Sequence, residues 1–328
     1  MEIGLAYDLA PEATATAPGT PDDLHEEYDC AATIDAVADA LRRLGHDVRR
    51  LGGGRAFLEA MLDGACELVF NMAEGAGSRS REAHVPAVCE MLAIPYTHSD
   101  PLTLAAALDK AVAKTLVAAA GIPTPAFAVL ERPGEEVTLR FPLIAKPVAE
   151  GSSMGLRASS RITDAPSLRV HVARLIDGYA QPVLVEEFCP GPEFTVAITG
   201  TGADATALGI MEIVPRAGQL AEFVYSTQVK RASAAAVHYR VPPERPEPLL
   251  RRAVEVALGA YRALGCRDLA RVDVRVDATG EPSFLEVNAL PGLRPGWGDV
   301  TILAAGYGVS FDALVGGVVG AARARLGI

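Results

Sequence analysis

Residues 271–292 read Arg-Val-Asp-Val-Arg-Val-Asp-Ala-Thr-Gly-Glu-Pro-Ser-Phe-Leu-Glu-Val-Asn-Ala-Leu-Pro-Gly. Val272, Val274 and Val276 alternate with Arg271, Asp273 and Arg275. That period of two predicts a half-buried strand. Asp277-Ala-Thr-Gly280 carries turn chemistry, with Gly280 free to take a positive φ. In the run that follows, alternation puts Leu285 and Val287 on one face and Phe284, Glu286 and Asn288 on the other. The whole predicts a β-hairpin whose polar face gathers Asp273, Glu286 and Asn288, with Arg271 beside them.

Two carboxylates and an amide oxygen on one sheet face repel or share a proton unless something neutralises them. A divalent cation does so, and Mg²⁺ favours a few carboxylate oxygens together with water and phosphate oxygens. Arg271 is suited to hold a phosphate or an oxyanion on that face. A solvated strand shows the same alternation of charge, so the pattern needs support from the rest of the chain.

The 328 residues exceed one simple core and predict two or three domains. Half are hydrophobic and the net charge is −11, which argues against a nucleic-acid binder working through a basic surface. A nucleotide enzyme needs only local cations, so that class stays open. The five cysteines are widely spaced, odd in number and without a Cys-x-x-Cys pair. They predict reduced thiols in a cytoplasmic protein and no zinc site. The N-terminus enters a strand rather than a signal peptide, and no run of ~20 apolar residues predicts a membrane span.

Ile3–Tyr7, 47–51 and 68–70 read as strands, alternating with helices over 31–45 and 55–64. That order predicts a parallel sheet with helices on both faces, with ligands beyond its carboxyl ends near Tyr7, Asp8 and Asn71. A Pro-, Ala- and Thr-rich loop over 11–22 is too long for a plain connector. Helix is predicted over 86–92, 102–120, 168–176, 248–264 and 309–324, and strand over 94–96, 141–146, 183–187, 193–198, 209–215 and 222–231. The small-residue loop Pro147-Val-Ala-Glu-Gly-Ser-Ser-Met-Gly155 follows a strand ending at Lys146. Its backbone N–H groups suit phosphate oxygens, though it has neither the Walker nor the dinucleotide glycine pattern. Domain boundaries are predicted at 1–98, 99–182 and 183–328.

Seven stretches in this order carry a family resemblance: Ile94-Pro-Tyr-Thr97; Leu108-Asp-Lys110 with Ala119-Ala-Gly-Ile-Pro-Thr-Pro125; Phe141 to Gly155; Val183-Leu-Val-Glu-Glu187; Gly191-Pro-Glu-Phe-Thr-Val-Ala197; Leu264-Gly-Cys-Arg267; and Arg271 to Gly292. Over nearly its whole length the chain resembles the D-alanine–D-alanine ligase family of ATP-grasp enzymes. The resemblance implies an α/β ATP-grasp fold, in which an N-terminal parallel α/β domain precedes central and C-terminal α+β domains that clasp ATP. It implies Lys110 and Lys146 at the α- and β-phosphates, and Glu150, Gly151, Ser152, Ser153, Met154 and Gly155 as a flexible loop over them. Glu186, Glu187 and Phe188 match the adenine segment, Glu193 the ribose carboxylate, and Lys230 the lysine near the γ-phosphate. Asp273, Glu286 and Asn288 become ligands of two Mg²⁺ ions, and Arg271, Lys230 and Ser152 the catalytic set. The partners are a small-molecule carboxylate and an amine, with no nucleic acid and no membrane, and the family's homodimer is built on the first domain.

The implied chemistry converts a carboxylate into an acyl phosphate, offsets phosphoryl charge with cations and N–H groups, and lets an amine attack while Arg271 holds the tetrahedral oxyanion. The substrate-facing positions depart from the family. Its Ser-x-Glu-x-Glu-Val-Ser is replaced by Asp22-Asp-Leu-His-Glu-Glu-Tyr-Asp29, where Glu26 or Glu27 takes the ammonium-binding place. Its His-Gly is Glu74-Gly75, and the tyrosine after its lysine is Arg231. Pro-Gly-Met-Thr-x-x-Ser is replaced by Pro291-Gly292-Leu-Arg294-Pro-Gly-Trp297. These changes favour a ligase acting on an acid or amine other than D-alanine. A true D-alanine–D-alanine ligase with divergent loops, or a nucleotide-binding homologue without turnover, are the other readings.

Overall fold

The computed structural model describes residues 1–10, 20–64 and 66–328. Most of the loop predicted over 11–22 lies outside the described residues.

The first unit runs β1 (Glu2–Tyr7), α1 (Ala31–Arg43), β2 (Asp47–Gly52), α2 (Gly54–Asp63), β3 (Leu68–Met72) and α3 (His84–Met91). Its sheet is parallel in the order β2-β1-β3. Helix α1 buries Ile34, Val37, Ala38 and Leu41, the stripe that a 3.6-residue period places on one face. The strand predicted over 94–96 is only a single parallel bridge between Val69 and Tyr96.

The long helix predicted over 102–120 is two helices, α4 (Pro101–Leu108) and α5 (Lys110–Ala119). Asp109 breaks it with an extended backbone, and its carboxylate accepts the N–H groups of Ala111 and Val112. An aspartate satisfies orphan N–H groups at a helix start better than it continues a helix. The break puts Lys110 in the first turn of α5, with its N–H on the Val148 carbonyl.

The second sheet contains β4 (Phe127–Leu130), β5 (Leu143–Pro147), β6 (Arg161–Ile162) and, after α6 (Ala165–Tyr179), β7 (Val183–Glu187), in the order β4-β7-β5-β6. Strand β7 was assigned from sequence to the third domain, but it pairs with β4 and β5. Helices α4 and α5 likewise pack their apolar side chains Leu104, Ala107, Ala113 and Val117 into the core of the third sheet.

That third sheet is built from β8 (Glu193–Thr199), β9 (Thr206–Pro215), then, beyond α7 (Thr227–Arg231) and α8 (Ser233–Ala236), β10 (Val237–Arg240), and after α9 (Glu247–Ala263) the hairpin β11 (Leu269–Val276) and β12 (Pro282–Asn288). Its order is β10-β9-β8-β11-β12, antiparallel throughout. The strand predicted over 222–231 is wrong. Ser226 accepts the Val229 N–H and starts α7, so Lys230 and Arg231 ride on a helical turn. Two further helices, α10 (Asp299–Gly306) and α11 (Phe311–Leu326), close the chain; Leu303, Leu314, Val315 and Val318 join the core that Ile3, Leu5 and Ile34 form on the first sheet. The sequence reading missed α10. Among the described residues, no single helix is long and apolar enough to cross a membrane.

The deciding hairpin forms, with one change of phase. Arg271 faces Asn288 and Asp273 faces Glu286, but Val274 pairs with Phe284, so Leu285 is an extra residue on β12. A bulge reverses the alternation on one side of it. Phe284 therefore joins Val272, Val274 and Val287 in the core, while Leu285 lines the cleft beside Glu286. Phe284 had been predicted on the polar face.

Candidate active site

A cleft between the second and third sheets is lined by Lys146, Ser153, Glu186, Glu187, Phe188, Glu193, Lys230, Asp273 and Glu286. Lys110 Nζ and Lys146 Nζ each lie 3.7 Å from Glu286 Oε2. Burial by itself would raise the pKa of Glu286, but Lys110, Lys146, Arg271 and Lys230 outweigh it and bring it to about 2. Lys146 also lies 2.8 Å from Glu186, whose other oxygen is 2.7 Å from Lys114. The Glu186 side chain is therefore a buried counter-ion for two lysines, and the Glu187 carboxylate is paired outward with Arg140 at 2.8 Å. Of that segment, the Phe188 ring faces Arg275 at 4.6 Å, and Arg275 pairs with Glu193 at 3.3 Å.

On the hairpin's polar face, Arg271 Nη2 is 3.0 Å from Asp273 Oδ2, and its Nη1 donates to Asp299 Oδ2 at 2.8 Å. Asp273 also accepts the Thr195 hydroxyl at 2.8 Å. Burial, with Glu286 and Asp299 nearby, raises its pKa despite Arg271. Among the described residues no three His, Cys, Asp or Glu side chains converge into a cage. The candidate set is Asp273, Glu286 and Asn288, two carboxylates and an amide, which leaves positions for water and phosphate oxygens. That donor set fits Mg²⁺.

A second cavity of about 230 Å³ adjoins the cleft, and Lys230 and Tyr225 line both. Its wall includes Glu26, Glu27, Asp29, Glu74, Ser152, Arg271, Asn288, Gly292, Arg294 and Trp297, bringing together every residue predicted to meet substrate except Arg231. Burial, reinforced by Arg271, lowers the pKa of Lys230. Arg294 stacks on the Trp297 ring at 5.3 Å.

Two predicted roles change here. Glu27 is gripped at both oxygens by Arg81, at 3.0 and 2.7 Å. Glu26 lies 2.6 Å from Arg231. Each carboxylate already has its charge matched by a guanidinium, Glu27 at both oxygens and Glu26 at Oε1. Arg231 sits in a clasp with Glu26 and Asp22 rather than at the cavity wall.

The small-residue loop is held closed across the site. Ser152 and Ser153 take positive φ values of 48° and 58°. Gly155 has φ 78°, and a Cβ there would meet Pro147 at 2.6 Å. The Thr227 hydroxyl donates to the Ser153 carbonyl at 2.6 Å, and Met154 is buried. Asp23 accepts the Gly155 N–H at 3.0 Å, Arg157 at 2.6 Å and the Thr227 hydroxyl at 3.3 Å. Arg81 joins Glu150 at 3.1 Å, and Lys110 Nζ donates to the Glu150 carbonyl. Sequence reasoning missed Asp23, Arg81, Lys114, Arg275 and Asp299. Only Arg275 carried a signal, through the period-two face it shares with Arg271 and Asp273.

Residues 116–320 match the family model described as D-ala D-ala ligase C-terminus. A D-alanine–D-alanine ligase of Gluconobacter oxydans is 34% identical over 300 residues, covering 89% of this chain and 93% of the relative. The chain belongs to the D-alanine–D-alanine ligase family of ATP-grasp ligases. A protein of Sinorhizobium fredii named only as uncharacterized protein y4sG is 33% identical over 89% of this chain and 87% of its own. A Bacillus anthracis D-alanine–D-alanine ligase solved in complex with ATP superposes with a TM-score of 0.74 at 22% identity, over 100% of this chain and 98% of that one. The ATP-grasp architecture and ADP-forming ligase activity of the family follow for this chain.

Proposed function

We propose that this ligase joins two small amino acids through an acyl phosphate, with ATP as phosphoryl donor and D-alanine as the first pair to test. The observation that carries the reading is the sharing of Lys230 and Tyr225 between the cationic cleft and the 230 Å³ cavity. A phosphoryl group leaving the cleft at Lys230 meets a carboxylate lying against Arg271. Family relatives named D-alanine–D-alanine ligases at 34% identity support D-alanine over the divergent substrate favoured by the loop sequences alone.

In this reading Lys110 and Lys146 neutralise the inner phosphates, and Asp273, Glu286 and Asn288 would hold Mg²⁺, which supplies further charge neutralisation at the phosphate oxygens. Arg271, oriented by Asp273 and Asp299, first draws the carboxylate and then stabilises the oxyanion formed when the amine attacks. The closed loop over Ser152 and Ser153 keeps water from the acyl phosphate.

The test is phosphate release from ATP and Mg²⁺ across amino acids of both configurations, with mass spectrometry of the products. D-Alanyl-D-alanine at ordinary enzymatic rates is the expected result, and failure of every amino acid to yield an amide overturns the reading.

One observation favours a second reading, a changed acceptor. The N–H groups of Trp297 and Gly298 both donate to the Arg294 carbonyl, at 3.2 and 2.9 Å, so these backbone donors are already engaged. The Arg294 guanidinium would then take the acceptor's anionic group. The same panel decides, through a larger or more acidic amino acid outpacing D-alanine.

A further inference from the structure

Glu26 and Glu27 carry guanidinium partners, yet an amino-acid substrate brings an ammonium group that must be matched inside the cavity. Of the other three carboxyls that line that cavity, Asp299 is paired with Arg271, which leaves Asp29 and Glu74. Neither has an ion-pair partner among the described residues. Residues 11–19 and Ala65, outside the described set, contain no Lys, Arg or His, so no cation there neutralises them either.

Both residues sit on firm mounts. Asp29 lies in a parallel bridge with Leu9; its N–H donates to the Asp8 carbonyl at 3.3 Å, and its carbonyl accepts the Ala10 N–H at 3.0 Å. Glu74 precedes Gly75, whose N–H donates to Asp8 Oδ2 at 2.8 Å and whose carbonyl accepts the Tyr28 hydroxyl at 3.2 Å. The same cavity receives Arg271, only 8% exposed, whose Nε has no hydrogen-bond partner. One wall thus carries the Arg271 guanidinium, held by Asp273 and Asp299, and another carries two unpaired carboxyls. That complement is a zwitterion: carboxylate toward Arg271, ammonium toward Asp29 and Glu74.

We infer that Asp29 and Glu74 form the ammonium subsite of the amino-acid substrate, in place of Glu26 and Glu27; the assignment rests on the ligase reading above. Without ligand, burial pushes Asp29 up to about 6, against the Thr33 hydroxyl and the charge of Arg294. Burial, together with Glu82, Glu27 and Asp29, pushes Glu74 well above the carboxylate range against the pull of Arg81. A bound ammonium supplies the charge that lets both ionise. Glu27 and Arg81 then serve to hold the Glu150 loop, and Glu26 and Arg231 to clasp α7.

The test compares binding of D-alanine with that of propionate, which lacks only the amine, to the full chain with Mg²⁺ and a non-hydrolysable ATP analogue. Wild type is expected to prefer D-alanine at least tenfold. Asp29→Asn/Glu74→Gln is expected to abolish that preference while propionate binding stays within about twofold. Should the double variant not fold, as judged by its melting curve, Glu74→Gln alone is expected to reduce the preference several-fold. Absence of the preference in wild type, its survival in these variants, or its loss in Glu26→Gln or Glu27→Gln instead, overturns the assignment. The ligase reading stands or falls on amide product, so the two failures are told apart.

Discussion

Arg231 Nη2 lies 2.6 Å from Glu26 Oε1, tying helix α7 of the third sheet to the first unit. Its Nη1 is 2.7 Å from Asp22 Oδ2. Asp22 is exposed and Arg231 and Glu26 are partly so, and pairs open to solvent contribute only about 0–1 kcal/mol. Arg231→Ala should therefore lower Tm by no more than roughly 2–3 °C. Its larger effect should be a few-fold rise in amino-acid KM, because the clasp holds the Lys230 turn over the cavity. High salt should bring wild type toward the variant. Melting curves and steady-state kinetics at two salt concentrations check this; a Tm loss with unchanged KM would reverse the assignment.

Asp23 should matter much more. It is fully buried and accepts bonds from Gly155, Arg157, Tyr179 and Thr227. Asp23→Ala would leave the Tyr179 hydroxyl and the Gly155 N–H without an acceptor and take one of two carboxylates from Arg157, whose other is Asp22, at about 3 kcal/mol if the loop stayed shut. Loop opening relieves that cost. Turnover is expected to fall at least tenfold and protease cleavage at 151–155 to rise. Wild-type values for both would show that Asp23 does not control closure.

Lys146→Ala tests the nucleotide cleft. The sequence alone predicts a loss of ATP affinity without a loss of stability, but the buried Glu186 at 2.8 Å changes that expectation. Removing one partner of a buried pair costs about 3–5 kcal/mol, and Lys114, still 2.7 Å from Glu186, should hold the cost toward the lower end. Both Tm and calorimetric ATP affinity are expected to fall, the latter at least tenfold. An unchanged affinity would remove Lys146 from the phosphate site.

Asp29 predicts a pH dependence of stability. Burial lifts its pKa in the folded chain to about 6, above the ordinary aspartate value of 3.8. The unfolded chain therefore loses this proton first, and stability falls as pH rises from about 4 to about 6, then stays low. Asp29→Asn removes that penalty, which is at most about 3 kcal/mol. The variant should melt above wild type at pH 8 and nearly with it at pH 4. A variant less stable at pH 8 would mean the carboxylate is stabilised in the free protein.

Much of the architecture was legible. The β-α-β-α-β opening is short-range periodicity, and so is the valine alternation that put Arg271, Asp273, Glu286 and Asn288 on one face. Phe284 was misplaced because a single bulged residue reverses phase, and no local pattern marks where a strand gains one. Helix α7 was read as strand because a capped five-residue turn is too short to display a 3.6-residue period.

Sequence by itself determined the hairpin and the loop of small residues, since each depends on neighbours within a few positions. Tertiary structure alone decided which charges are spent and which are free. Arg231 meets Glu26 across 205 positions and Arg81 meets Glu27 across 54, while Asp29 and Glu74 line the same cavity with no ion-pair partner among the described residues. Asp299 is brought to Arg271 by a helix that the sequence reading did not find. Charge pairing depends on distance in space and on burial, and neither is encoded in the period of a strand or a helix.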